Sequence, residues 1–232
     1  MERKIINIKG LDVLVFKKDI KNFHLSVLPP DGTVRVSVPG NVSDDAIKLF
    51  VIKKYNWIKK HIKSFQEQER QTKREYVSGE SHYFKGRRYI LKINYANKPN
   101  IEIRNKKYIY FYVPKFYTLQ QRQNYYEKWL RKELRKELEI LVPKWENIIG
   151  VKVNEFRIRK MKTKWGTCNP NAKRIWINLE LIKKPGEYLE YVIVHELVHL
   201  LERKHNKRFK KMLDKYLPKW KTYSRRLNKF IL

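Results

Sequence analysis

The chain has 232 residues, 42% apolar and 13% aromatic, enough to bury a sizeable core in one large domain or two small ones. It holds no run of eighteen apolar residues, which excludes a helix spanning a bilayer, and its one cysteine, Cys168, excludes an internal disulfide and fits a reducing interior. The 54 Lys and Arg against 23 Asp and Glu leave a formal charge of +31, a field that draws polyanions, so nucleic acid held without sequence readout is the expected partner beyond any substrate. An acidic protein or a membrane surface could absorb the same charge.

Met1 to Lys4 followed by Ile5 to Gly10 is too short and too interrupted for a secretory signal, so a cytoplasmic location is expected. Alternating apolar residues predict strands around Ile6 and Ile8, then over Leu11 to Phe16, Phe23 to Leu28 and Val34 to Val38. Asp31-Gly32 marks the turn of a hairpin joining the last two. Ser43 reads as the N-cap of one helix, with Asp44 and Asp45 in its first turn and Ile47, Phe50, Val51, Ile58 and Ile62 as its apolar stripe, Trp57 nearby. Gln66 to Lys73 is polar, a linker or a frayed helix end.

A second block carries predicted strands over His82 to Phe84, Arg88 to Asn94, Ile101 to Arg104 and Tyr108 to Val113, the last closed by Pro114. A long helix follows from about Leu119 to Ile148, with Tyr126, Trp129, Leu130, Leu134, Leu138 and Leu141 on its stripe and Pro143 kinking it or ending its first half. Both blocks run hairpin, strand ending Val-Pro, helix, and Trp57-Ile58-Lys59-Lys60 answers Trp129-Leu130-Arg131-Lys132. An ancient duplication is one hypothesis; the other is that strand-then-helix units are common. The expected segments are 1–75, 76–150 and 151–232.

In the third segment, strands over Phe156 to Lys160 and Lys173 to Leu179 flank Trp165-Gly166-Thr167-Cys168. Asn169-Pro170-Asn171 is a turn, so 164–168 and 173–178 should form a hairpin. Glycine within a strand marks close approach by another backbone or a bulge. The first reading makes 165–168 a substrate-binding edge strand that takes an extended peptide by strand addition; the second puts Trp165 in the core.

His195-Glu196-Leu197-Val198-His199 carries the most chemistry. On a helix the two imidazoles leave one face about one turn apart, a spacing a tetrahedral zinc ion bridges, while Glu196 leans over the position of an attacking water. The motif is embedded in Tyr188, Leu189, Tyr191 to Val194, Leu197 and Val198, a helix apolar on nearly every side, where polar groups need a partner. A bland alternative is a pair of hydrogen-bonded core histidines. His205 can complete the ligand set only if the helix ends, near Arg203, and turns; Asn206 can then cap a new helix bearing Phe209, Met212, Leu213, Tyr216 and Leu217. Asp214 is the alternative third ligand. Cys168 is either a fourth ligand or a small buried hydrophobe.

These residues, with Trp165 to Cys168 before them, Ile177-Asn178, Pro185 and Phe209, resemble the YgjP-like metallopeptidase family, related to the SprT-like and WLM zinc proteases. Thr167 stands where the family more often has Ser. The resemblance is strongest over 155–220 and implies a zinc-dependent peptidase fold with His195, His199 and His205 as ligands and Glu196 as general base. It supplies no substrate.

The expected fold is therefore α+β: hairpin and helix units, then a zincin-like catalytic domain with a small mixed or antiparallel sheet and an HExxH helix. The expected function is hydrolysis of peptide bonds by a metal-activated water with Zn2+ as cofactor, near nucleic acid; Tyr216 and Tyr223 are candidate oxyanion donors. The rival readings are a non-catalytic nucleic-acid-binding protein with a vestigial or structural zinc site, and a zinc hydrolase acting on another bond.

Overall fold

The computed structural model describes residues 2–28, 31–67 and 74–229, which form two compact units, Met1–Gln71 and Thr72–Leu232. In the first, β1 (Glu2–Ile8), β2 (Leu11–Lys18), β3 (His24–Leu28) and β4 (Thr33–Pro39) make a sheet in the order β1-β2-β4-β3. β1 and β2 are antiparallel across Lys9-Gly10, both at positive φ (50° and 78°), the conformation of the tightest hairpin turns. β3 and β4 pair antiparallel across the expected Asp31-Gly32 turn, and β2 and β4 pair parallel. Val34, Val36 and Val38 alternate inward on β4 against Val13 and Val15 of β2.

One helix was expected to carry Ile47 through Ile62; there are two, α1 (Asp44–Lys53) and α2 (Tyr55–Glu67). Ser43 caps α1 by accepting from the Ala46 N–H. Lys54 leaves helical geometry at φ −105°, ψ 6°, and its carbonyl accepts the first bond of α2 from Ile58. Periodicity is blind to this break, because Val51 and Ile58 lie seven residues apart and share a stripe with or without it. Past Glu67, the predicted linker falls outside the described residues.

The second unit begins with β5 (Ser81–Phe84), β6 (Arg87–Tyr95), β7 (Asn100–Arg104) and β8 (Tyr108–Val113), in the order β5-β6-β8-β7. Strand order and senses repeat those of the first sheet. α3 (Leu119–Ile149) starts on a capping box between Thr118 and Gln121 and stops at Gly150, which takes φ 77°. Pro143, expected to kink or end the helix, lies inside it and does not end it. The bond it removes would have gone to the carbonyl of Glu139, an exposed residue on a wet face.

A three-stranded sheet follows, β9 (Glu155–Arg159), β10 (Gly166–Asn169) and β11 (Arg174–Asn178), ordered β10-β11-β9. The expected hairpin is β10–β11; β9 joins β11 parallel, so the sheet is mixed. A 3-10 helix (Leu179–Lys183) leads into α4 (Gly186–Val198), and α5 (Lys207–Tyr216) and α6 (Trp220–Leu227) complete the unit. One core joins Leu130, Leu134 and Leu138 of α3 to Ile193, Val194 and Leu197 of α4. The β5–β6 turn docks on the approach to α4: the Lys85 and Gly86 N–H groups donate to the carbonyls of Ile182 (2.7 Å) and Lys183 (3.2 Å). No helix among the described residues is long and apolar enough to cross a membrane.

Candidate metal centre

α4 is buried on almost every side, from Tyr188 to Val198, so it holds its polar residues in fixed places. It ends at Val198, five residues before the expected Arg203. Leu200 and Leu201 donate to Leu197 and Val198 three residues back, which tightens the chain out of the α-helix. That early exit lets the chain turn, and Asn206 then caps α5 by accepting from the Phe209 N–H at 3.0 Å.

The turn brings three imidazoles together. Ring centroids of His195, His199 and His205 lie 4.8–4.9 Å apart pairwise. Phe209, 1% exposed, sits 4.7–5.0 Å from all three rings and forms the floor beneath them. Nε2 of His205 faces Nε2 of His195 at 3.0 Å, and one ligand nitrogen from each ring lies within 4.8 Å of the others. The Glu202 carbonyl lies 3.1 Å from His199 Nδ1, an acceptor that keeps the proton there and leaves Nε2 free to ligate.

Burial, then the neighbouring rings, depresses the His195 pKa to about 3, and burial likewise lowers that of His199. Both are therefore neutral at ordinary pH, the form that binds metal. A zinc ion with bonds of about 2.0–2.1 Å sets tetrahedral ligand atoms roughly 3.4 Å apart. The triangle needs small side-chain adjustments to meet that spacing, so the three residues fit a divalent cation.

Beside the triangle, Glu196 is 5% exposed. Burial raises its carboxyl pKa to about 8, partly opposed by the charge of Lys164. Gly166 makes room for it: an added Cβ would stand 2.7 Å from Glu196 Oε1 and 2.8 Å from Glu196 Cγ and Val192 Cγ1. The glycine in β10 thus marks close approach by the side chains of Glu196 and Val192, where another backbone was expected. Asn178 fixes the segment leading to β10. Fully buried, its amide donates to the carbonyls of Met161 (2.9 Å) and Lys164 (2.7 Å) and accepts from Glu180 (3.1 Å).

Gly166, Thr167 and Cys168 line the cavity over the triangle, a space of about 340 Å³. Trp165 instead packs against the core, and its carbonyl accepts from the Asn178 N–H. Burial and the nearby Glu196 push the Cys168 thiol up to about 12, and the metal-ligating group among the described residues is the three histidines alone. Asp214 accepts from Trp220 Nε1 at 2.8 Å and lies outside that group. Tyr216 donates weakly to the Ile149 carbonyl at 3.5 Å and Tyr223 packs edge-on to Tyr188, so neither lines the cavity. Lys164, Asn171 and Arg203, which the sequence did not single out, do. Only tertiary pairing could show them, since each lies on a connection.

Comparison with known proteins gives one family and a partial structural likeness. The family model described as YgjP-like, metallopeptidase domain, matches residues 21–230. Solved structures similar to the chain include the metallopeptidase zymogen abylysin of Pyrococcus abyssi, with 23% identity over 39% of this chain and 90% of that one and a TM-score of 0.37. The metallopeptidase zymogen jannalysin of Methanocaldococcus jannaschii is similar at 20% identity over 40% and 94%, with a TM-score of 0.36. No curated protein matches.

Proposed function

The chain belongs to the YgjP-like metallopeptidase family, and from that premise we propose that it hydrolyses peptide bonds with zinc held by His195, His199 and His205. Three imidazoles suit zinc and leave a corner for substrate. Bound there, the cation supplies a Lewis acid that polarises the scissile carbonyl and acidifies water.

Glu196 is the general base. It takes a proton from the attacking water and returns it to the leaving amine. Burial, partly opposed by Lys164, keeps its carboxyl protonated up to about 8, so its proton-accepting form depends on further positive charge beside it. Gly166 lets β10 pass close over Glu196, where any larger residue would press on its carboxyl. β10 is an edge strand that pairs with no strand on its outer side among the described residues, which supports an extended peptide adding there beside the cavity. The charge of +31 supports work near nucleic acid.

The observation that carries this reading is the juxtaposition of three converging imidazoles with a buried carboxylic acid; a purely structural metal site has no use for the acid. Its test is digestion of a peptide library by native and Glu196→Gln protein, with metal content measured in both. The variant should keep about one zinc per chain and lose roughly 10²–10⁴ of the rate. Unchanged hydrolysis would remove Glu196 from the role, and zinc without hydrolysis in the native protein would favour a structural site in a nucleic-acid-binding protein.

A further inference from the structure

Away from the metal centre, at the far edge of the same three-stranded sheet, a groove of about 1200 Å³ runs between α3 and β9. α3 contributes Lys128, Lys132 and Arg135, spaced i, i+4 and i+7, so their charges form one exposed stripe along two turns. The neighbouring Lys136 and Lys160 are tied to Glu133 and Glu127 at 2.7 and 2.6 Å, whereas those three pair with no acid among the described residues. The two carboxylates that also line the groove, Glu133 and Glu155, are engaged by Lys136 and by Arg157 and Arg174, so the stripe has no ion pair of its own, which costs stability and favours an external anion.

The opposite wall is aromatic. Phe156 and Trp176 line the groove half-buried, with Arg135 over the Phe156 ring at 5.7 Å and Arg157 over the Trp176 ring at 5.4 Å. Phe156 stands in register with Ile175 and Trp176 with Arg157, so the two rings flank the β9 edge from opposite faces of the sheet, each beside a guanidinium. An acidic peptide would use the stripe but has no use for exposed ring faces. Strand addition at β9 is also hindered, because Arg131 donates to the Ile158 carbonyl at 3.1 Å and occupies that edge. Duplex DNA keeps its bases stacked inside and offers the rings nothing.

We propose that this groove binds single-stranded nucleic acid, phosphates along Lys128, Lys132 and Arg135 and bases on Phe156 and Trp176. Backbone charge plus sequence-tolerant stacking is how single strands are held without readout. The proposal rests on the polyanion part of the function above and is independent of hydrolysis.

The test uses metal-free full-length protein, so cleavage plays no part, and a fluorescent 20-mer of deoxythymidine followed by anisotropy across a salt series. Native protein should bind with strong salt dependence. Combined Lys128→Glu, Lys132→Glu and Arg135→Glu should weaken binding at least tenfold and flatten the log–log salt slope by about 2. Trp176→Ala should weaken it about tenfold while leaving most of that slope in place. Lys53→Glu, Lys54→Glu and Lys60→Glu, matched in charge but on α1, α2 and their junction, control for net charge. If both triple variants weaken equally, or Trp176→Ala binds as native, the groove is not the site. If polyglutamate competes as well as oligonucleotide, the partner is an acidic protein. If the native protein binds no oligonucleotide, the polyanion reading itself fails.

Discussion

The two four-stranded sheets share order, senses and a left-handed two-residue turn after the first strand, with φ 78° at both Gly10 and Gly86. They differ in what those turns touch. A Cβ at Gly10 would meet nothing within 4 Å, whereas one at Gly86 would stand 2.7 Å from Pro185 Cγ and 2.9 Å from its backbone. The first sheet closes a small core of its own with α1 and α2; the second shares its core with the helix that carries His195 and Glu196. One topology therefore serves as a self-contained module in one place and as a support for chemistry in the other, and the change lies in a single docked turn and a longer helix.

Core truncation should separate the two most strongly. Leu134→Ala and Ile58→Ala, each at a fully buried site, should both cost about 2–5 kcal/mol. Hydrogen exchange by mass spectrometry should assign each loss to its own unit, and only Leu134→Ala should lower peptide hydrolysis. Equal loss of activity in both would break the contrast. Zinc at a hundredfold its dissociation constant should raise protection of the second unit by about 2.7 kcal/mol and leave the first unchanged.

The paired glycines give a finer comparison. Gly10→Ala meets only backbone strain, about 1 kcal/mol, while Gly86→Ala adds displacement of Pro185 for a total of roughly 2–4 kcal/mol. Chemical denaturation that found the two equal would mean the docked turn holds nothing.

The smallest effect is on pH. In the second unit, burial lowers the His82 pKa despite the Glu80 carboxylate 2.9 Å away. Burial would raise Glu80, but hydrogen bonds from His82 and from the N–H groups of Glu75 and Tyr76 outweigh it and hold it below the ordinary value. Both folded pKa values lie below their unfolded ones, so the unfolded chain binds protons first. Stability of this unit should fall as pH drops below about 6.5 and again below about 4.5. His82→Gln should shrink the first step in a pH series of unfolding midpoints, leaving the share of His195 and His199, whose pKa values are also lowered in this unit, and a first step of unchanged size would remove His82 from it.

Much of the site was legible because its signals are local. The i, i+4 histidines, the Asn206 cap and the need for a turn before His205 all follow from helix geometry, and the triangle forms where they point. Glu196 was legible as a polar group in a buried helix, but the strand that closes over it was not, since the approach of Gly166 depends on tertiary pairing. Parallel pairing of β2 with β4 and β6 with β8 left no mark, because period-2 alternation is the same for either sense. The break at Lys54 hid behind a seven-residue spacing, and Pro143 looked like a stop because the exposure of Glu139 was not yet known. Lys164 and Arg203 belong to connections whose destination only the folded chain reveals.

Asn178 carries a consequence for the lifetime of the molecule. Its amide aims two hydrogens at two carbonyls, and no other side chain of that size can do so from the same spot. Chemical ageing of that amide to a carboxylate would set oxygen against oxygen in a sealed space. The segment ahead of β10 would come loose, and Gly166 with it, so an old copy would lose the wall of its cavity with every imidazole still in place.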